Sequence, residues 1–262
     1  MSLSTHEFDL SQVEFHSFHW DNFNQDVLNA HKKVMTHFGL NVTYTQENIP
    51  HGQWLDRVIG QSKSKVVAII EPDLIPLNKD IVEKAARYVF ENDTFLGCAQ
   101  VSNHIHPATH VFASPAFFFI TPGCYEKLGR PSFLETRRAD VAEELTFAAE
   151  RIGLRFKTLF PKCYERPPVE GVWRLGSYGH YGIGTVFEGG VYHLFQSRLA
   201  ANVDLFVTRC EEVLSGRFDD SSFIPCTGFD KPAQVVAPPY AYPWFCKTNT
   251  LRRWYRSYKK RC

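Results

Sequence analysis

Glu71 and Asp73 stand one residue apart around Pro72, directly after the most apolar run of the chain, Val66–Ile70. On an extended backbone, residues two apart point to the same side, so the two carboxylates are expected to face each other. At the mouth of a buried strand such a pair repels and is poorly screened. A hard divalent cation, Mg²⁺ or Mn²⁺, resolves that conflict, because it prefers carboxylate oxygens and commonly bridges to substrate phosphates. Solvated loop acids are the plainer reading of the pair. Its position after a buried strand is what favours the metal.

Other residues carry chemistry at less diagnostic spacing. Asp140, Glu143 and Glu144 lie in or just before the first turn of an expected helix, where the macrodipole stabilises acids. One acid is enough for capping, and three are present. Asp56 and Arg57 follow Trp54 on another expected helix, where a surface ion pair would also explain them. His193 sits in apolar sequence behind the pair Gly189–Gly190, which could let backbone approach a ligand. His104, His106 and His110 have no acid at regular spacing beside them, which argues against a separate metal cluster. Six glycines from Gly176 to Gly190 lie among aromatics without the strand–loop–helix setting of a phosphate-binding loop. A mobile loop and a rigid turn both fit them.

These residues need a scaffold, and the first two-thirds of the chain supplies an alternating one. Strand-like VEFHSFHW precedes the helical stretch DNFNQDVLNAHKKVMTHFG, which ends at Gly39, and LNVTYT precedes the helix HGQWLDRVIGQS. KVVAII is the central strand, followed by a helix that Asn78 can cap. TFLGCAQVS and VFASPAFFFITPG read as strands, VAEELTFAAERI as a helix ending at Gly153, and LRFKTLFP as a strand. Strand–helix–strand repetition predicts an α/β fold with a mostly parallel sheet flanked by helices. Its ligands are expected beyond the carboxyl ends of the strands.

The 262 residues are enough for one large domain, and 44% hydrophobic with 22% charged residues fits a globular chain. A net charge of +1 gives no global attraction to nucleic acid or membrane. Seven cysteines without a C-x-x-C pair argue against structural zinc and for reduced thiols in a cytoplasmic setting. No export signal or membrane-spanning run is visible. Residues 1–215 read as the catalytic domain. Residues 216–262 read as a Pro- and aromatic-rich wrap ending in the basic tail TLRRWYRSYKKRC.

Strand, then acid-x-Asp, then Pro-Leu resembles the metal and nucleotide-sugar motif of GT-A-fold glycosyltransferases, with Glu71 in place of the usual first Asp. The resemblance runs roughly from Phe15 to Arg198 and lies in order and context, not close identity. It implies that Glu71 and Asp73 hold Mn²⁺ or Mg²⁺ on the diphosphate of a nucleotide sugar, such as a UDP-sugar, with His193 as third ligand. It implies donor contacts from Trp54, Asp56, Arg57 and Arg198. It also implies a catalytic base among Asp140, Glu143 and Glu144, and an acceptor pocket drawing on His104, His106, His110 and Ser114.

The R-x-D-V-A-E-E segment and the basic tail are similar to glycosyltransferases encoded by tailed phages, some of which modify 5-hydroxymethylcytosine in DNA. The tail could neutralise phosphates and stack on bases, lie against anionic lipid, or be a solvated helix. The acceptor is thus expected to be modified DNA, with lipopolysaccharide or another surface glycan as the alternative. A catalytically silent sugar- or nucleic-acid-binding module is the rival from another class.

Overall fold

A computed structural model of the protein describes residues 8–102, 109–167, 173–176 and 178–226. In chain order these form β1 (Val13–His19), α1 (Gln25–His37), β2 (Val42–Gln46), α2 (His51–Gln61), β3 (Val66–Ile70), β4 (Leu74–Pro76), α3 (Lys79–Asn92), β5 (Phe95–Val101), β6 (Val111–Ile120), α4 (Pro122–Lys127), α5 (Glu143–Ile152) and β7 (Lys157–Leu159). The chain continues through β8 (Pro161–Arg166), β9 (Trp173–Arg174), β10 (His180–Tyr181), β11 (Ile183–Phe187), β12 (Val191–His193), α6 (Ala200–Leu214) and β13 (Ile224–Pro225).

The main sheet has strand order β2-β1-β3-β6-β5-β7. Pairs β1–β2, β1–β3 and β5–β7 are parallel, whereas β6 runs antiparallel between β3 and β5. The sequence pattern predicts a mostly parallel sheet, and β6 is its antiparallel exception. The link from Ser102 to His110 is too short for a crossover helix, so β6 returns beside β5 in the opposite sense. Both faces of the sheet are covered, which is why β3 shows no polar alternation. Val66, Ala68 and Ile70 face a core shared with α1, α3 and α6, while Val67 and Ile69 face one shared with α2, α4 and α5.

A smaller antiparallel sheet, β13-β8-β11-β12-β4, packs against the first of these cores. β4 is its edge strand, a position where Pro76 costs no ladder hydrogen bond. At the hairpin before β12, Gly189 and Gly190 have φ of +81° and +94°. A Cβ on Gly189 would fall 2.3 Å from Ile81. The glycine pair therefore serves a turn seated on α3, not close approach to a ligand.

Residues 216–226 continue the small sheet: Phe223 is buried, β13 pairs with β8, and Lys162 bridges to Asp220 at 2.7 Å. The remainder of the expected wrap and the basic tail lie outside the described residues. Among the described residues, no helix is long and apolar enough to cross a membrane.

Candidate active site

The strand order reverses between β1 and β3, and Glu71 immediately follows β3 at its carboxyl end. The Glu71 N–H donates to the Ala116 carbonyl (2.8 Å), and the Leu74 N–H donates back to the Glu71 carbonyl (3.0 Å). Glu71 to Leu74 is thus a tight turn with Pro72 at its second position. The acids meet because the chain folds back, not because an extended backbone aligns them.

Beyond the turn, β4 pairs with β12 so that Leu74 lies opposite His193, and the Leu194 N–H donates to the Asp73 carbonyl at 2.9 Å. This pairing draws a residue distant in sequence onto the acidic turn. One ligand atom from each of Glu71, Asp73 and His193 lies within 4.8 Å of the others. Ser197 donates to Asp73 Oδ2 at 2.7 Å, and His193 Nε2 stands 3.7 Å from Asp73 Oδ1. His193 Nδ1 is buried and has no partner among the described residues.

Burial, then the neighbouring Asp73 charge, pushes the Glu71 carboxyl up to about 7, although His193 opposes the shift. Burial also acts against Asp73, but His193 and Ser197 outweigh it and hold that carboxyl below its usual range. One acid near the entrance to the core thus keeps its charge and the other gives it up readily. Two carboxylates and an imidazole with an orphaned ring nitrogen form a donor set that fits Mn²⁺ or Mg²⁺.

A cavity of about 210 Å³ opens beside the three donors. Across it stand Gln100, Phe112, Pro115, Asp140 and Gln196. Gln196 (φ +60°) lines this space, and Ala142 (φ +70°) lies next to the lining residue Val141. Left-handed backbone at non-glycine residues costs on the order of 1–3 kcal/mol and tends to collect at working sites.

The other expected residues divide sharply. Asp140 is 8% exposed and lines the cavity. Glu143 is buried behind it, and Glu144 is bound by Thr136 and Arg138, with neither lining the cavity. Although burial acts against ionisation, Arg138 beside Glu144 keeps that carboxyl below its ordinary range.

Trp54 is fully buried and does not line the cavity, stacking instead on Phe18 at 5.1 Å and on His51 at 5.8 Å. Asp56 turns away from the site, accepting the Phe133 N–H and the Ser132 hydroxyl, both at 2.9 Å. Arg57 pairs with Glu47 at the surface. These two charged residues fasten a loop and a helix flank. Arg198 is exposed, its guanidinium 5.3 Å from the Trp20 ring at the carboxyl end of β1.

Ser114 is buried within β6 and does not reach the cavity, while His104 and His106 lie outside the described residues. His110 does have acidic partners, Glu143 and Glu150, both supplied by α5. The sequence reading missed His51, Gln100 and Ser197. His51 Nδ1 lies 3.6 Å from Glu71 Oε1, and burial pushes its pKa down to about 4, leaving the ring neutral. Its signal was its place at the start of the helix leading into the central strand.

No protein-family profile matches the chain, and no curated protein matches it. Among solved structures it is similar to S. aureus TarS 1–349, at 13% identity and TM-score 0.35 over 52% of this chain and 54% of that one. It is similar to the bifunctional IspDF from Campylobacter jejuni, at 9% identity and TM-score 0.35 over 56% and 48%. A glycosyltransferase involved in glycosylation of the major capsid of PBCV-1 aligns at 12% identity and TM-score 0.29 over 44% and 62%. In each of these three the chain spans less than two-thirds of the other's length. TM-scores this low mark partial likeness of chain path, so the chemistry is read from the residues of the site.

Proposed function

We propose that the protein is a divalent-metal-dependent glycosyltransferase that moves a sugar from a nucleotide sugar, such as a UDP-sugar, to an acceptor hydroxyl. The observation that carries this reading is the convergence of Glu71, Asp73 and His193 at the carboxyl end of β3, beside a cavity that contains Asp140. When bound there, Mn²⁺ or Mg²⁺ would neutralise charge developing on a leaving diphosphate.

This chain's own residues would do the rest. Asp140 would accept the proton of the acceptor hydroxyl as its oxygen bonds to the anomeric carbon, while the bond to the diphosphate breaks and its electron pair leaves with the phosphate. The cavity is smaller than the roughly 300–1,000 Å³ pockets that enclose whole ligands. It therefore suits the sugar, with the nucleotide lying outside along the carboxyl ends of β1 and β3. There Arg198, already held over Trp20, would be in reach of phosphate oxygens. Buried free thiols at Cys98, Cys124, Cys163 and Cys210 support work in the cytoplasm.

Calorimetry of UDP-sugars with and without Mn²⁺, followed by assay for released UDP, tests the reaction. Metal-independent binding with no release would make the protein a silent binding module. For the acceptor, the basic aromatic tail of the sequence favours 5-hydroxymethylcytosine in DNA over lipopolysaccharide or another surface glycan. Mass spectrometry of hydroxymethylated DNA and of lipid-linked glycans after incubation with a panel of nucleotide sugars separates these acceptors. Deleting Leu251–Cys262 should weaken DNA binding and flatten its salt dependence; unchanged binding removes the tail from the reading.

A further inference from the structure

Three acids at the start of α5 exceed what a helix cap needs, and each has a different surrounding. Asp140 faces the cavity, Glu144 is neutralised by Arg138, and Glu143 points into the protein. Glu143 Oε2 accepts the Asp140 backbone N–H at 2.7 Å, while the Glu143 N–H donates to the Asp140 carbonyl at 3.1 Å. This reciprocal grip closes a four-residue turn from Asp140 to Glu143, and it fixes the backbone that carries Asp140. It operates where Ala142 offers α5 no side-chain cap and holds a left-handed conformation.

Glu143 is itself held from behind. His110 Nδ1 donates to Glu143 Oε1 at 2.6 Å, and His110 Nε2 donates to Glu150 Oε1, about two turns further along the same face of α5, at 3.0 Å. The imidazole lies flat on Phe147, with ring centres 4.0 Å apart and planes 8° from parallel. Arg138 covers the same Phe147 ring at 4.9 Å. With a carboxylate at each nitrogen, both nitrogens carry protons and the ring is an imidazolium. Burial opposes that charge, but the bonds to Glu143 and Glu150 prevail and push its pKa up to about 9. His110 immediately precedes β6, whose Phe112, Pro115 and Ala116 form the opposite wall of the cavity.

We infer that His110 is a positioning residue for Asp140, acting through Glu143 to fix the Asp140 backbone relative to the cavity wall on β6. A buried ion cluster that served stability alone could be replaced by apolar side chains of similar volume. Here the hydrogen-bonded chain ends on the main-chain amide of the one acid at the start of α5 that reaches the cavity. The inference rests on the reading of Asp140 as proton acceptor, and its test has one arm that does not.

His110→Asn retains a donor where Nδ1 meets Glu143, whereas His110→Gln retains one where Nε2 meets Glu150. The two variants are matched in polarity: each loses both buried ion pairs and keeps one of the two hydrogen bonds. Amide hydrogen exchange at Asp140 is expected to speed up about tenfold or more in His110→Gln and to stay near the parent rate in His110→Asn. With UDP-sugar and acceptor, kcat should fall about 10- to 100-fold in His110→Gln, with Mn²⁺ affinity unchanged, and recover largely in His110→Asn. Equal exchange at Asp140 in the two variants overturns the inference. Equal loss of kcat alongside equal loss of thermal stability also overturns it, because a merely structural role would give that result. If the parent protein transfers no sugar, the proposed function fails, and the exchange comparison still decides whether His110 positions Asp140.

Discussion

The Ser197 hydroxyl, 2.7 Å from Asp73 Oδ2, occupies one lone pair of the carboxylate and aims the other oxygen toward Glu71 and His193. Such outer partners typically contribute 10- to 100-fold to metal affinity. Ser197→Ala should therefore weaken Mn²⁺ binding about tenfold by calorimetry, whereas Asp73→Asn should abolish it. Glu71 adds a pH dependence whose sign follows from its raised pKa. Below about pH 7 a proton occupies the carboxyl, so a cation must displace it. Mn²⁺ affinity is expected to rise with pH up to about 7 and then level off, with nearly one proton released per ion at pH 6 and none at pH 8. Calorimetry in buffers of different ionisation enthalpy measures that proton; equal release at both values would remove Glu71 from the ligand set. The same shift acts on the metal-free protein in the opposite sense. A carboxyl whose pKa is raised on folding stabilises the fold while protonated, and that contribution is lost as pH climbs from about 4.5 to about 7.

The hairpin between β11 and β12 fixes where His193 arrives, and its two left-handed glycines rest on α3. Gly189→Ala adds a methyl against Ile81 and forces a side chain into left-handed backbone. It should cost about 1–3 kcal/mol by denaturant titration and reduce Mn²⁺ affinity with it. Asn78→Ala, which removes the Ile81 N–H cap of α3, should cost about 1 kcal/mol while leaving the metal affinity unchanged. At this scale much was readable in the sequence, for physical reasons. α1 and α3 have polar caps and apolar faces, and Gly39 and Gly153 close α1 and α5 in left-handed backbone. α6 has Leu199 at its N-cap and no side-chain cap, so its start carries no local signal. The strands of the small sheet are short, and their partners lie far along the chain. The acids at 71 and 73 were legible as neighbours. His193 was placed with them by resemblance, and the pairing of β4 with β12 explains how it gets there. Asp56 and Arg57 were not legible, because carboxylates and guanidiniums that fasten loops look the same in sequence as those that bind substrates.

Across the whole molecule, a ligand that binds only the folded state stabilises it by mass action, by about 2.7 kcal/mol at a hundredfold excess over its Kd. Mn²⁺ should therefore raise the Tm, and the rise should be larger at pH 8 than at pH 6 because protonated Glu71 weakens the site. A chelator should reverse it, and an unchanged Tm across that series would argue that no ion binds in this range. The two sheets give the effect a further meaning. Glu71 leaves the large sheet, whereas Asp73 precedes β4 and His193 ends β12 of the small one. An ion held by all three would join them as a removable rivet, closing the long stretch of chain between Asp73 and His193 into a loop much as a disulfide would. Without it, the small sheet should breathe more readily than the large one, and slowed exchange in β11 and β12 would announce that the rivet is in place.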